Sequence, residues 1–229
     1  MSRTTRYLLA TGALPPHMAG VAADDVVLEV QSFIAIKPVP AGRLAGLAER
    51  RLVAVFTSVN AVEAVLAEVG RPRRWKIYCL GGATYQRLAG ELGKACIAGQ
   101  ADSATALAEC IRDRERERQV FFFCGDQRRD ELPEILTAEG FEVTETVVYQ
   151  TVLTPHRLEK SYAGIAFFSP SAVESYFSVN AATNGTVMFA IGHSTADAIR
   201  SRCDNQVMIC PQPDKPTLIR TMIDYFINK

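Results

Sequence analysis

Short apolar bursts alternate with longer segments of helical period along most of the chain. Residues 52–57, 76–80 and 119–124 are apolar runs, and each precedes an amphipathic stretch, at 59–69, 83–92 and 129–139. After residue 163 the rhythm resumes with IAFF (165–168), VMFAI (187–191) and VMIC (207–210), each ahead of a helical segment. Strand-like bursts separated by helices predict parallel sheets with crossover helices, so the fold class is α/β.

Two stretches break the rhythm. VVLEVQSFIAIK (26–37) and FEVTETVVYQTVL (141–153) are long, β-branched and without helical period. Each has the alternation of a half-exposed strand. Together they predict a two-stranded antiparallel β-ladder that links two lobes.

The lobes themselves are predicted by an internal repeat. AVFTSVNAVEAV (54–65) matches IAFFSPSAVESY (165–176), with Phe56/Phe167, Ser58/Ser169, Ala61/Ala172, Val62/Val173 and Glu63/Glu174 identical at a separation of 111 residues. YCLGGATYQRL (78–88) matches FAIGHSTADAI (189–199) at the same separation, setting Gly81 on Gly192 and Thr84 on Thr195. ADSATAL near 102 then corresponds to PDKPTLI near 214, and VFFFCG (120–125) to YLLATG (7–12), with Gly125 on Gly12. The second copy is therefore completed by the amino terminus. The expected lobes are 38–140 and a discontinuous 1–28 plus 154–229, with 29–37 and 141–153 as the linking ladder. Each is expected to be a flavodoxin-like parallel sheet flanked by helices.

Composition narrows the class of ligand. The 25 Lys and Arg balance the 25 Asp and Glu, so no basic field favours nucleic acid, and an anionic ligand would need local donors. The six cysteines form no CxxC pair and lie mostly in apolar runs, as reduced core residues of a cytosolic protein do. His17, His156 and His193 lie far apart with no ligand spacing, so no metal site is expected. Arg3 and Arg6 precede YLLATGAL, but this apolar run meets Pro15 and Pro16 and reads as a first strand rather than an export signal. No run of about 18 apolar residues suggests a membrane span.

In open parallel sheets, ligands bind beyond the carboxyl ends of the strands, where helices begin. Both repeated motifs are such junctions. Ser58 follows a strand and precedes a helix; in the second copy Ser169 or Ser171 can cap, with Pro170 suited to the first helical position. In LGGAT and IGHST the glycines, Gly81 and Gly192, allow close backbone approach, and Thr84, Ser194 and Thr195 can cap the next helix. Serine and threonine at helix starts are commonest simply as caps, but free N–H groups and the helix dipole also make each junction a weak anion site.

GHSTA (192–196) has the outline of a nucleophile elbow, yet no histidine follows His193 to complete a hydrolase triad. Tyr149 lies on the second linking strand. Its ring reads either as packing with a polar tip or as a phenol that donates a proton to a leaving group. Arg128 and Arg129 open the helix after 119–124 and read as solvated cations that could reach an anion. The RERER run at 114–118 reads as an exposed helix end.

Taken in order, FTSVNAVEAV, LGGATYQRLA, FFCGDQRRDELPEIL, VTETVVYQT, FFSPSAVESYF, AIGHSTADAIR and PDKPT resemble the uroporphyrinogen-III synthase family over nearly the whole chain. The resemblance implies a cofactor-independent, two-lobed lyase of tetrapyrrole biosynthesis. Such an enzyme closes linear hydroxymethylbilane into uroporphyrinogen III, inverting ring D and losing water. It implies Tyr149 as the residue assisting the leaving group. It also implies Ser58, Gly81, Thr84, Ser169, Ser171, Gly192, Ser194 and Thr195 as the frame around the substrate carboxylates. A monomer is expected, with a transient contact to the preceding deaminase, no nucleic acid and no membrane.

The chain departs from the family at two places. Ala10-Thr11-Gly12 stands where members often carry Thr-Arg-Pro, and Asn60 where the first motif often has arginine. Both changes remove a cation. The competing readings are a non-enzymatic two-lobed protein that binds or senses a small anion, and a duplicated regulatory domain that has lost its ligand.

Overall fold

The computed structural model describes residues 5–227 except 16, 17, 19–21, 24, 40, 41 and 43. The chain divides into two compact units, Met1–Ala35 with Val152–Lys229 and Ile36–Thr151. In chain order the strands are β1 (Arg6–Ala10), β2 (Ala22–Ala23), β3 (Val26–Val30), β4 (Ile34–Pro38), β5 (Leu52–Phe56), β6 (Trp75–Leu80), β7 (Ile97–Ala101), β8 (Gln119–Gly125), β9 (Glu142–Leu153), β10 (Gly164–Phe167), β11 (Val187–Ala190) and β12 (Val207–Ile209). The helices are α1 (Val59–Val69), α2 (Ala83–Leu92), α3 (Ala104–Arg114), α4 (Glu131–Ala138), α5 (Pro170–Phe177), α6 (His193–Arg200) and α7 (Lys215–Ile227).

The unit built on Ile36–Thr151 carries the sheet β4-β9-β8-β5-β6-β7, with β5 to β9 mutually parallel. Its central strands are apolar without interruption because both faces are covered. Ala54, Phe56 and Phe123 pack under α1 and α2 through Ala61, Val62, Val65 and Leu88. On the other face Val53, Val55 and Phe122 meet α3 and α4 through Leu107, Ile111, Leu132 and Leu136.

The other unit carries β12-β11-β10-β1-β3-β2, all parallel except β2 against β3. Leu8 and Ala10 face α7, with its Leu218, Ile219 and Met222. Leu9 faces the opposite way, toward Val173 of α5 and Ile199 of α6. One strand thus contributes to two cores by simple alternation.

Several expectations are corrected. Numbered from β5, the central strands run 3-2-1-4-5, the order of the dinucleotide-binding folds, rather than the flavodoxin order 2-1-3-4-5. Residues 26–37 are two strands, broken at 31–33 where Phe33 turns fully into the core beside Tyr176. Hydrogen bonds run between the two stretches, from Val39 N–H to the Val148 carbonyl and from Thr154 N–H to the Phe33 carbonyl, both 2.9 Å. However, β9 is no isolated ladder strand, because it also pairs in parallel with β8. The helix expected at 129–139 begins at Glu131, leaving Arg128 and Arg129 in the loop before it. Finally, the 114–118 run is not simply exposed. Glu115 is only 5% accessible, its carboxylate accepting the Tyr78 hydroxyl and the Lys76 ammonium, each at 2.7 Å.

Candidate active site

The crossovers after β5 and β8 lead to opposite faces of the sheet, α1 on one and α4 on the other. Between these neighbouring strands the sheet has its topological switch point, where a crevice opens at the carboxyl ends. A cavity of about 470 Å³ occupies that place, with Leu80, Phe122 and Leu132 as apolar wall and Ser58, Gln127, Arg128 and Tyr149 among its polar groups.

Ser58 is the N-cap of α1. Its extended backbone turns the side chain back so that Oγ accepts the Asn60 N–H at 3.1 Å. The same Oγ lies 3.1 Å from the Tyr149 hydroxyl, and either oxygen can donate. Ninety-one residues separate the two in sequence. Tyr149 reaches this position through an irregularity in the β8–β9 pairing. Cys124 opposes Val147, but Gly125 opposes Tyr149, so β9 carries one extra residue there. Such a bulge reverses the facing of the residues beyond it.

The neighbouring junctions complete the rim. Gly81, just beyond β6, donates its N–H to the Ala101 carbonyl at 2.8 Å. A side chain there would meet Asp102 Oδ1 at 2.6 Å, so the glycine makes room for a carboxylate that lines the cavity. Ser103 caps α3 by accepting the Ala106 N–H at 3.1 Å. Arg128 is held by Asp130 and Glu145. Cys124 also lines the cavity, but burial pushes its thiol up to about 11, which keeps it protonated and poorly nucleophilic at neutral pH.

Within this unit the structure therefore gathers Ser58 and Tyr149, sets Gly81 beside Asp102 at the same edge, and leaves Thr84 outside the cavity lining. Thr84 is buried within the first turn of α2, whose cap is Gly82. In the other unit Ser169, not Ser171, caps α5, accepting the Ala172 N–H at 3.2 Å, with Pro170 at the helix start and Ser171 buried in the helix. Gly192 caps α6 through extended backbone alone, Ser194 is exposed and Thr195 is buried. The expectation that Thr84, Ser194 and Thr195 act as caps is thus corrected, because the preceding glycines occupy those positions.

Sequence reasoning does not single out Gly125, Asp102, Ser103 or Gln127 as site residues. The repeat marks the ADSATAL junction and Gly125 only as landmarks, and no local pattern gives them contacts. Among the described residues no group of three His, Cys, Asp or Glu is placed to hold a metal ion, and His17 lies outside them.

This is a doubly wound α/β protein with a cavity at its switch point into which the hydroxyl residues Ser58, Ser103 and Tyr149 contribute. The HEM4 family model, uroporphyrinogen-III synthase HemD, matches residues 28–220, and the chain belongs to that family. Its activity is accordingly that of a lyase-type cyclase in porphyrin biosynthesis. The fold is similar to that of uroporphyrinogen-III synthetase from Helicobacter pylori, with a TM-score of 0.74 at 15% identity over 96% of this chain and 100% of that one. It is also similar to a mutant uroporphyrinogen III synthase from the extremely thermophilic bacterium Thermus thermophilus, with a TM-score of 0.60 at 16% identity over 98% and 100% of the two chains. Among the described residues no helix is long and apolar enough to cross a membrane.

Proposed function

We propose that the chain closes linear hydroxymethylbilane into uroporphyrinogen III, with Tyr149 assisting the step that starts the reaction. What carries this reading is the Tyr149 phenol in the switch-point pocket, 3.1 Å from the Ser58 hydroxyl. The ring A hydroxymethyl group must lose its oxygen. Proton donation from the phenol lets it depart as water, taking the C–O electron pair, while the pyrrole nitrogen lone pair forms the exocyclic double bond to the former hydroxymethyl carbon, leaving an azafulvenium cation. The substituted carbon of ring D then attacks that carbon, and the resulting spiro intermediate fragments and recloses with ring D inverted. The proton lost when the last pyrrole regains aromaticity returns to the phenolate, so the net change is loss of one water.

Because the bilane also cyclises unaided to the uninverted isomer, holding the rings matters more than raw acceleration. The substrate is a polycarboxylate, and the frame suited to it is a set of backbone N–H groups and hydroxyls at helix starts. We assign to that frame, in one unit, the backbone N–H groups at the helix starts beside Ser58 and Thr84, and, in the other, Ser169, Ser171, Gly192, Ser194 and Thr195. Gly81 leaves room rather than donating, because its N–H already meets the Ala101 carbonyl. Thr84 and Thr195, being buried, would act through the helix turns they anchor. The reading includes a cytoplasmic monomer that needs no cofactor and meets the preceding deaminase only in passing.

We also read the two units as copies of one ancestral half, with 1–28 plus 154–229 and 38–140 as lobes and 29–37 and 141–153 as the stretches linking them. Support comes from strand order, since β10, β11, β12, β1 and β3 follow the order of β5, β6, β7, β8 and β9. It comes also from register: Phe56 opposes Cys79 and Phe167 opposes Ala190, both pairs related by 111 residues. The same registers set Phe121 on Leu9, a separation of 112. That places Gly125 on Ala13, one residue from the match with Gly12 that sequence alone suggests.

The deciding assay supplies hydroxymethylbilane freshly made by the deaminase and measures the ratio of type III to type I uroporphyrinogen. Predominant type III is expected. Type I alone would sink the reading and favour a protein that only binds a small anion.

A further inference from the structure

We propose that Ser58 is the positioning residue that points the Tyr149 proton at the substrate, by donating its own hydroxyl hydrogen to the phenol oxygen. This rests on the assignment of Tyr149 as proton donor made above. The number of hydroxyl protons decides the direction. A serine hydroxyl has one proton to give and two lone pairs, and a phenol has one proton. Ser58 Oγ already accepts the Asn60 N–H at the start of α1. The contact with Tyr149 at 3.1 Å can then run in either direction. If Tyr149 donated, its only proton would be consumed by Ser58 and none would face the cavity. If Ser58 donates, the Tyr149 proton is free for the leaving hydroxyl.

The helix favours the second arrangement. α1 is 11 residues long, and its amino end concentrates partial positive charge on the N–H groups that Ser58 caps. An N–H donating into Ser58 Oγ polarises the serine O–H and makes it the better donor of the two hydroxyls. The chain of donors therefore runs outward, from Asn60 N–H to Ser58, from Ser58 to Tyr149, and from Tyr149 to the substrate. After transfer, the phenolate oxygen keeps the Ser58 hydroxyl as its hydrogen-bond donor, a group already oriented before the reaction begins.

The rest of the geometry serves the same alignment. The bulge in β9 brings Tyr149 opposite Gly125, and the ring lies over that glycine so closely that a Cβ would stand 2.4 Å from its Cζ. Edge and face of the ring are thus fixed by backbone, and the hydroxyl direction is left to Ser58.

The test uses the full-length enzyme with tyrosine labelled by carbon-13 at Cζ, whose chemical shift reports hydrogen bonding at the phenol oxygen. Ser58→Ala is expected to move the Tyr149 resonance and Ser58→Thr to restore it. In steady-state kinetics Ser58→Ala is expected to lower kcat about tenfold, the equivalent of one hydrogen bond, with little change in KM. The loss should disappear in a Tyr149→Phe background. Overturning results are an unmoved resonance in Ser58→Ala, or an equal loss of kcat with and without the Tyr149 hydroxyl. Either would leave Ser58 as a helix cap alone. The resonance is read without substrate, so it decides the hydroxyl pair even if the wild-type chain yields only type I product.

Discussion

The ring of Tyr149 occupies the space that a side chain at Gly125 would need. A Cβ at Gly125 would stand 2.4 Å from Tyr149 Cζ, 2.6 Å from Cε2 and 2.7 Å from the hydroxyl oxygen, all inside van der Waals contact. Gly125→Ala should therefore push the ring off the switch point rather than strain its own backbone, because Gly125 has no positive φ. We expect kcat to fall about as far as in Tyr149→Phe while the cooperative unfolding transition is retained. Turnover within about twofold of wild type would mean that the ring has room elsewhere to act.

Tyr149→Phe removes the proton donor but keeps the ring on Gly125. A positioned general acid contributes typically about 10²–10⁴ in rate, and spontaneous departure of the hydroxyl sets the lower end here. The expected outcome is a kcat reduced about 10²-fold with product affinity nearly unchanged, measured by single-turnover kinetics beside equilibrium titration with uroporphyrinogen III. Equal losses in both would assign Tyr149 to binding.

What sequence reveals of this site follows the range over which a pattern acts. The strands 52–56 and 119–125 are legible because a strand covered on both faces must be apolar throughout. Ser58 is legible as a cap for a similarly local reason. By contrast, the weakly apolar IAGQA of β7 does not stand out as a strand, and the break at 31–33 carries neither glycine nor proline to announce it. The meeting of Ser58 and Tyr149 depends on strand order and on one extra residue in β9, neither of which any local window encodes. Glu115 defeats a local reading because its charged neighbours in RERER give the pattern of a solvated face, whereas its partners Lys76 and Tyr78 lie 39 and 37 residues away.

That buried carboxylate makes a prediction of its own. Glu115 Oε1 accepts the Tyr78 hydroxyl at 2.7 Å, and burial, then the bond to Glu115, holds that phenol far above its ordinary pKa. Glu115→Ala would leave the hydroxyl of a fully buried tyrosine unpaired, costing about 1–3 kcal/mol. Lys76→Met should cost less because it keeps the bond to the buried hydroxyl, although it leaves the Glu115 carboxylate, 2% exposed, without its cation. Urea unfolding of both variants checks the ranking; equal costs would show that the ion pair, not the buried hydroxyl, is what holds the end of α3 to β6.

Lys215 makes the stability of the fold depend on pH. It stands in the first turn of α7, where the helix dipole opposes a cation. Its ammonium donates to the Ala13 carbonyl at 2.9 Å and lies 5.1 Å from the centre of the Phe168 ring, so its contacts are a neutral oxygen and a π face. Burial lowers its pKa from 10.5. The folded chain then holds this proton less tightly than the unfolded one, so the charged lysine carries a penalty that is complete below the lowered pKa. The penalty shrinks as pH rises and is gone above 10.5, where both states are neutral. Wild type should accordingly gain stability relative to Lys215→Met as pH rises from about 7 toward about 10.5. Denaturant unfolding of the two proteins in parallel across that range cancels every titration they share. A difference that stays flat with pH would mean that the ammonium keeps its water, and a difference of opposite slope would mean that an acidic group pairs with it in solution.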